Sequence, residues 1–169
     1  MNLKAQLLKA HSKANCNLIV KYIGNDKILF AQLIDLFLAG PYRVTQRAAW
    51  PVANIVEAHP DSITPHLKKV IAFAANPIAS VSAKRNILRL LQFIEIPKKH
   101  FGIVADMCFR FLSDKKETIA VQVFAMTVLA NVAKHQPSLA NELKIIIEDR
   151  LPFASAGFRS RATKILRSL

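Results

Sequence analysis

The sequence predicts an all-α protein, an α-α superhelix of about four helix pairs behind a leading helix. Three observations predict it. Apolar residues step by three and four nearly throughout, as in Ile28-Leu29-Phe30, Leu33-Ile34 and Phe37-Leu38. Glycines and prolines break this pattern at short intervals. The stretches between breaks repeat at a period of about 38 residues. No run of alternating β-branched residues bounded by turn dipeptides occurs, so no strand is required.

The elements follow in order. A leader is expected at about 2–10, then helices at about 12–24, 26–39, 43–59, 61–75, 80–96, 98–112, 116–135, 138–150 and 156–169. Gly24 and Gly40 suit left-handed C-terminal caps, and Pro41 cannot continue a helix. Asp26, Asp61, Ser80 and Ser138 are candidate N-caps, because their oxygens can accept from orphan amides. Pro60, Pro97 and Pro137 open or follow helices, where a missing N–H costs little. Pro51 falls inside a helical pattern and predicts a kink or a helix in two pieces. The candidate core is Ile34, Phe37, Leu90, Phe93, Leu129 and Val132, and the ten Phe are spaced like core residues.

With 169 residues, 52% apolar, 4 Gly and 8 Pro, the chain is long enough for one well-packed domain and unlike a disordered or collagenous one. No GxGxxG or GxxxxGK[ST] is present, which excludes the common nucleotide-binding loops. Cys16 and Cys108 form no CxxC and sit in apolar helical patterns, as reduced structural thiols of a reducing compartment do. The first residues lack an apolar h-region and a cleavage site, so no signal peptide is expected. Ile119 to Ala133 is the most membrane-like stretch, yet it is shorter than the roughly 18 residues a span needs. It reads as a buried helix, and a cytoplasmic location follows as the expectation.

Three segments align internally: 46–57, 84–95 and 123–134. Arg47, Arg85 and Phe124 coincide; so do Asn54, Gln92 and Asn131, and Val56, Ile94 and Ala133. Each segment runs into a proline, and Arg161 in the last helix continues the series. The chain thereby resembles the HEAT-repeat family, whose second helices open on Val-Arg-x-x-Ala-x-x-Ala-Leu. Arg47-Ala48-Ala49 with Val52-Ala53, and Val123-Phe124-Ala125 with Val128-Leu129-Ala130, are similar to that pattern. The resemblance implies a right-handed stack of antiparallel helix pairs. Its units fall at about 26–59, 61–96, 98–135 and 138–169, with leading helices over 2–24, in one HEAT-like domain over 1–169. It also implies an interaction scaffold, with nucleic-acid binding in a minority of members. HEAT loops often carry an Asp that pairs with the Arg. The loops before Arg47 and Arg85 lack it, and Asp114 stands where Phe124 replaces the Arg.

Charge points to the same helices. Lys and Arg number 24 against 11 Asp and Glu, a formal +13. Most of the excess lies on the second helices of the units, whereas the first helices are neutral in sum. A basic concave row there would attract an acidic protein segment or a polyanion. The candidate contacts are Arg43, Arg47, Trp50, Asn54, Arg85, Arg89, Gln92, Arg161 and Lys164. Polar-edged aromatics are few (Trp50, Tyr42 and Tyr22), which weakens the case for single-strand binding.

Catalytic constellations are absent from the sequence. His11, His59, His66, His100 and His135 form no HxxxH or HExxH, and neither Cys lies in ligand spacing, so no metal site or cofactor is expected. No Ser sits in GxSxG. Glu148 and Asp149 are adjacent and so point to different helix faces. Some HEAT-like proteins are alkylpurine DNA glycosylases, similar to this chain in architecture and basicity. They need aromatics and a mid-helix carboxylate in the groove, and the chain has one Trp and no such Asp. The Gly-Ser-Ser-x-Met-Pro loop of helical lyases such as adenylosuccinate lyase is also missing. The expectation is a non-enzymatic HEAT-like protein-binding module, without membrane or small-molecule partners. The first alternative is a protein that binds the nucleic-acid phosphate backbone, and the least favoured is a glycosylase-like enzyme.

Overall fold

A computed structural model describes residues 1–169, and it is all-α. Ten α-helices follow one another: α1 (Leu3–Lys9), α2 (Lys13–Ile23), α3 (Lys27–Ala39), α4 (Tyr42–Ala58), α5 (Leu67–Ala75), α6 (Val81–Leu91), α7 (Phe101–Ser113), α8 (Ile119–Ala133), α9 (Pro137–Arg150) and α10 (Ala156–Leu166). Short 3-10 turns at Pro60–His66, Lys98–His100 and Leu151–Phe153 lead into α5, α7 and α10. The chain forms two compact units, Met1–Glu95 and Ile96–Leu169.

In the first unit α4 is the hub. It packs against α1, α2, α3 and α6, and buries Val44, Ala48, Ala49, Val52, Ala53, Ile55 and Val56. Small residues at 48, 49 and 53 let its neighbours approach closely. In the second unit α8 takes that place, covered by α7, α9 and α10. Coverage by three helices explains why α8 is apolar around its circumference instead of along one stripe. Its one deeply buried polar residue, Gln122, is 1% exposed.

The helix boundaries obey local chemistry. Asp26 Oδ1 accepts from the Ile28 and Leu29 amides at 2.8 and 3.0 Å, and Ser80 Oγ accepts from the Ala83 amide at 3.2 Å. Asn2, Ser12 and Ser155 cap in the same way without having been expected to. Gly24 ends α2 at a φ of 48°, as its lack of a side chain allows.

Several local expectations are corrected. Gly40 has a φ of −72°, so it is no left-handed cap. It is required by crowding instead: a Cβ there would collide with the Leu36 carbonyl oxygen and lie 2.9 Å from Val44 Cγ1. Asp61 lies inside the 3-10 turn, and Ser138 lies inside α9 behind Pro137; neither caps a helix. Of the two outcomes expected at Pro51, the helix in two pieces does not occur: α4 runs from Tyr42 to Ala58 with Pro51 inside it. The helix expected at 80–96 stops at Leu91, with Gln92 as its cap. Phe93 therefore leaves the helical register and is 38% exposed, while Ile94 folds inward at 8%. Ile34, Phe37, Leu90, Leu129 and Val132 are buried as expected. Phe153, in a 3-10 turn, is 93% exposed and also departs from the core pattern.

Candidate partner-binding surface

Arg43, Arg47, Trp50 and Asn54 step by four, three and four along α4, which places them on one face of the helix. Arg85, Arg89 and Gln92 do the same along α6 and its cap. Because α4 and α6 pack together, the two stripes belong to adjacent helices of the first unit. Arg161 and Lys164 lie on α10 of the second unit.

These residues divide by what holds them. Arg43 and Arg85 are exposed and Arg89 is half-buried, and none of the three side chains makes a hydrogen bond or ion pair. Lys164 is exposed. Arg47 is half-buried, and its Nη1 donates to the Leu7 and Leu8 carbonyls at 3.1 and 2.8 Å. Those oxygens belong to the last turn of α1, where carbonyls lack helical partners and the helix dipole favours a cation. Asn15 Nδ2 completes the same end by donating to the Gln6 and Ala10 carbonyls at 3.0 and 2.8 Å. Trp50 is half-buried, with its ring centroid 5.7 Å from that of His11. Asn54 Nδ2 donates to Cys16 Sγ at 3.5 Å. Gln92 Nε2 donates to the Leu88 carbonyl at 3.3 Å. Arg161 Nη1 donates to Thr127 Oγ1 at 2.7 Å.

The acidic partner missing from the loop before Arg47 is thus replaced by two neutral carbonyl oxygens of the backbone, and no carboxylate pairs with Arg47. For Arg47, neutral acceptors fix the geometry of the guanidinium without cancelling its charge.

The sequence reading missed Arg150. It is half-buried, its Nη1 donates to the Leu112 carbonyl, and its Nη2 donates to Gln122 Oε1 at 2.8 Å. Its guanidinium carbon lies 4.7 Å from the Phe158 ring centroid. Gln122 Nε2 in turn donates to the Asp114 and Glu117 carbonyls at 2.9 and 3.1 Å. Desolvation lowers the Arg150 pKa, against a smaller raising effect of Asp149. One signal could have exposed this network. Arg150 and Leu112 are 38 positions apart, as are Asn54 and Cys16, and Arg47 reaches back 39 and 40. Polar contacts recur at the repeat distance, so each helix end is best paired with a residue one period later.

The remaining reactive groups are quiet. Burial pushes the Cys16 thiol up to about 11 and raises that of the fully buried Cys108 further, which keeps both protonated. His135 stacks on Phe101 with centroids 5.9 Å apart, and His66 meets the edge of Phe30 at 5.8 Å. Glu148 and Asp149 are both exposed. No group of three or more His, Cys, Asp or Glu is placed to hold a metal ion. No helix is long and apolar enough to cross a membrane.

Comparison with known proteins agrees with this architecture. The family described as HEAT repeat domain matches residues 3–169. HEAT repeats generally mediate protein–protein interactions, and the family is generally non-enzymatic. No curated protein and no solved structure matches the chain. A match over nearly the whole length, on helix pairs tied together by contacts at the repeat distance, means that the chain belongs to the HEAT-repeat family.

Proposed function

We propose that this chain is a non-enzymatic interaction module that docks an acidic protein segment on the basic stripes of α4 and α6. The observation that carries the reading is the state of Arg43, Arg85 and Arg89, cations on two helices that pack together, whose side chains have no counter-ion within the chain. On α3 and α5, by contrast, Lys69 Nζ pairs with Asp35 Oδ1 at 2.7 Å. Arg85 and Arg89 are one helical turn apart, where like charges repel, and an incoming carboxylate relieves that repulsion. Trp50 and Asn54 offer an apolar plate and an amide on the same α4 stripe. Arg161 and Lys164 supply acid contacts on the second unit. Two buried, reduced cysteines support a cytoplasmic setting.

The test is fluorescence anisotropy of a labelled Asp/Glu-rich peptide, with a scrambled neutral peptide as control. The variant R43A/R85A/R89A should weaken binding about tenfold, from exposed pairs worth up to ~1 kcal/mol each. Unchanged affinity in that variant refutes the surface. A nuclease-treated affinity capture separates protein from nucleic-acid partners.

A second reading draws on the overall charge of +13 and the isoelectric point near 10.2. Under it the same arginines contact phosphates. Affinity for duplex DNA would then fall linearly with log salt, with a slope of about −0.9 per phosphate. Failure to bind duplex below about 100 μM at low salt would leave the acidic-peptide reading alone.

A further inference from the structure

The first unit holds a cavity of about 510 Å³, open to solvent, where the turn between α2 and α3 meets the C-terminal end of α4 and the 3-10 turn Pro60–His66. Its size falls in the usual range for ligand pockets, ~300–1,000 Å³. The sequence builds it from two constraints. Gly24 contributes no side chain to the wall, and Pro60 with Pro65 holds the opposite segment in a 3-10 turn in place of a full helix. Phe30 and Ile55, both buried, form apolar wall, and His66 lies edge-on to Phe30.

Two carboxylates line the same cavity, Asp26 and Asp61. The Asp26 carboxylate is held in place, because its Oδ1 accepts two amide hydrogens at the start of α3; its second oxygen takes no part in that cap. Asp61 is exposed, and its carboxylate makes no hydrogen bond or ion pair. Lys27, the one lysine lining the cavity, forms no ion pair with either acid. The imidazole of His66 is biased toward its neutral form by desolvation first and by Lys69 second, with Asp35 opposing. An apolar wall beside two carboxylates lacking a cationic partner is complementary to a cation carried on an apolar stem.

We propose that this cavity binds an arginine side chain presented by a partner protein segment. The methylene stem packs against the Phe30–Ile55 wall, the guanidinium plane lies along the imidazole of His66, and its N–H donors reach Asp26 Oδ2 and Asp61. Arginine fits better than lysine, because its planar fork engages carboxylates in a bidentate manner and is more weakly hydrated. The site is separate from the Arg43, Arg85 and Arg89 surface, and its charge preference is opposite. A segment that engages both would carry acidic residues and an arginine.

The experiment is a 1H–15N NMR titration of the full chain with the capped peptide acetyl-Leu-Arg-Leu-amide. The control peptide replaces Arg with citrulline, which keeps the shape and removes the charge. The expected result is shift changes confined to residues 24–30, Ile55 and 59–66, with binding at least about fivefold weaker for citrulline. The double variant D26N/D61N should weaken binding of the arginine peptide by a similar factor. Asn remains a good N-cap, so the fold should persist, and a circular dichroism spectrum checks it. The variant R43A/R85A/R89A should bind the arginine peptide as the parent does, which separates this site from the proposed docking surface. Equal binding of the citrulline peptide, unchanged affinity in D26N/D61N, or no shifts at about 10 mM peptide would each overturn the assignment.

Discussion

Replacing Arg150 with Ala tests how the second unit is held together. The substitution removes a charged hydrogen bond to the Leu112 carbonyl and another to Gln122 Oε1. Hydrogen bonds involving a charged group contribute about 1.5–3 kcal/mol each. Gln122 is 1% exposed, so its oxygen cannot turn to water and is left buried without this donor. The guanidinium contact with Phe158 adds about 0.5–1 kcal/mol. Water enters part of the vacated space, because Arg150 is only half-buried, and that recovers some of the loss. The expected net cost is about 3–5 kcal/mol, large for a point substitution. The assay is guanidinium denaturation followed by far-ultraviolet circular dichroism for both units and by fluorescence of Trp50, the only tryptophan, for the first. Comparing the probes also tests whether one transition describes the chain. A double-mutant cycle with Gln122→Leu should give a coupling of about 1–2 kcal/mol. A cost below about 0.5 kcal/mol, the range of featureless surface changes, would refute the view that Arg150 and Gln122 close this unit.

Three further outcomes are expected. Leu90→Ala should cost about 2–5 kcal/mol and Phe93→Ala under about 1.5 kcal/mol, because Leu90 is 1% exposed and Phe93 38%; equal shifts in denaturant midpoint would contradict the early end of α6. Gly40→Ala should destabilise by about 1–3 kcal/mol through the clash with Leu36 and Val44, despite an ordinary φ, and a neutral or stabilising result in thermal melts would show that α3 and α4 can separate there. His66 carries a pKa below its ordinary 6.5, so near that pH the unfolded chain binds more protons than the folded one. Stability from this group is therefore present above about pH 6.5 and declines as pH falls toward the folded-state value. His66→Gln should lose less stability than the parent between pH 7.5 and 5.5, and parallel pH profiles for the two proteins would disprove it.

The sequence by itself determined the fold class, the helix order and the repeat. These follow from periodic burial and from Gly, Pro and cap residues, all of which act over a few residues. Ile34, Leu90, Leu129 and Val132 were legible as core because each sits within an intact helical register. Phe93 was not, because the end of α6 removed the register that its spacing assumed. Gly40 was legible as a necessary glycine, but the reason for it, the Leu36 carbonyl and the Val44 side chain, exists only once α3 and α4 pack. Arg43 and Arg85 could be identified as surface cations from their helix position. That Arg47 instead closes the end of α1, and that Arg150 bridges Leu112 and Gln122, depended on which carbonyls lie within reach across 38 to 40 residues. Helix type is a local free-energy balance that the neighbouring residues settle. The partner of a long polar side chain is a question of distance between helices, and only packing sets that distance.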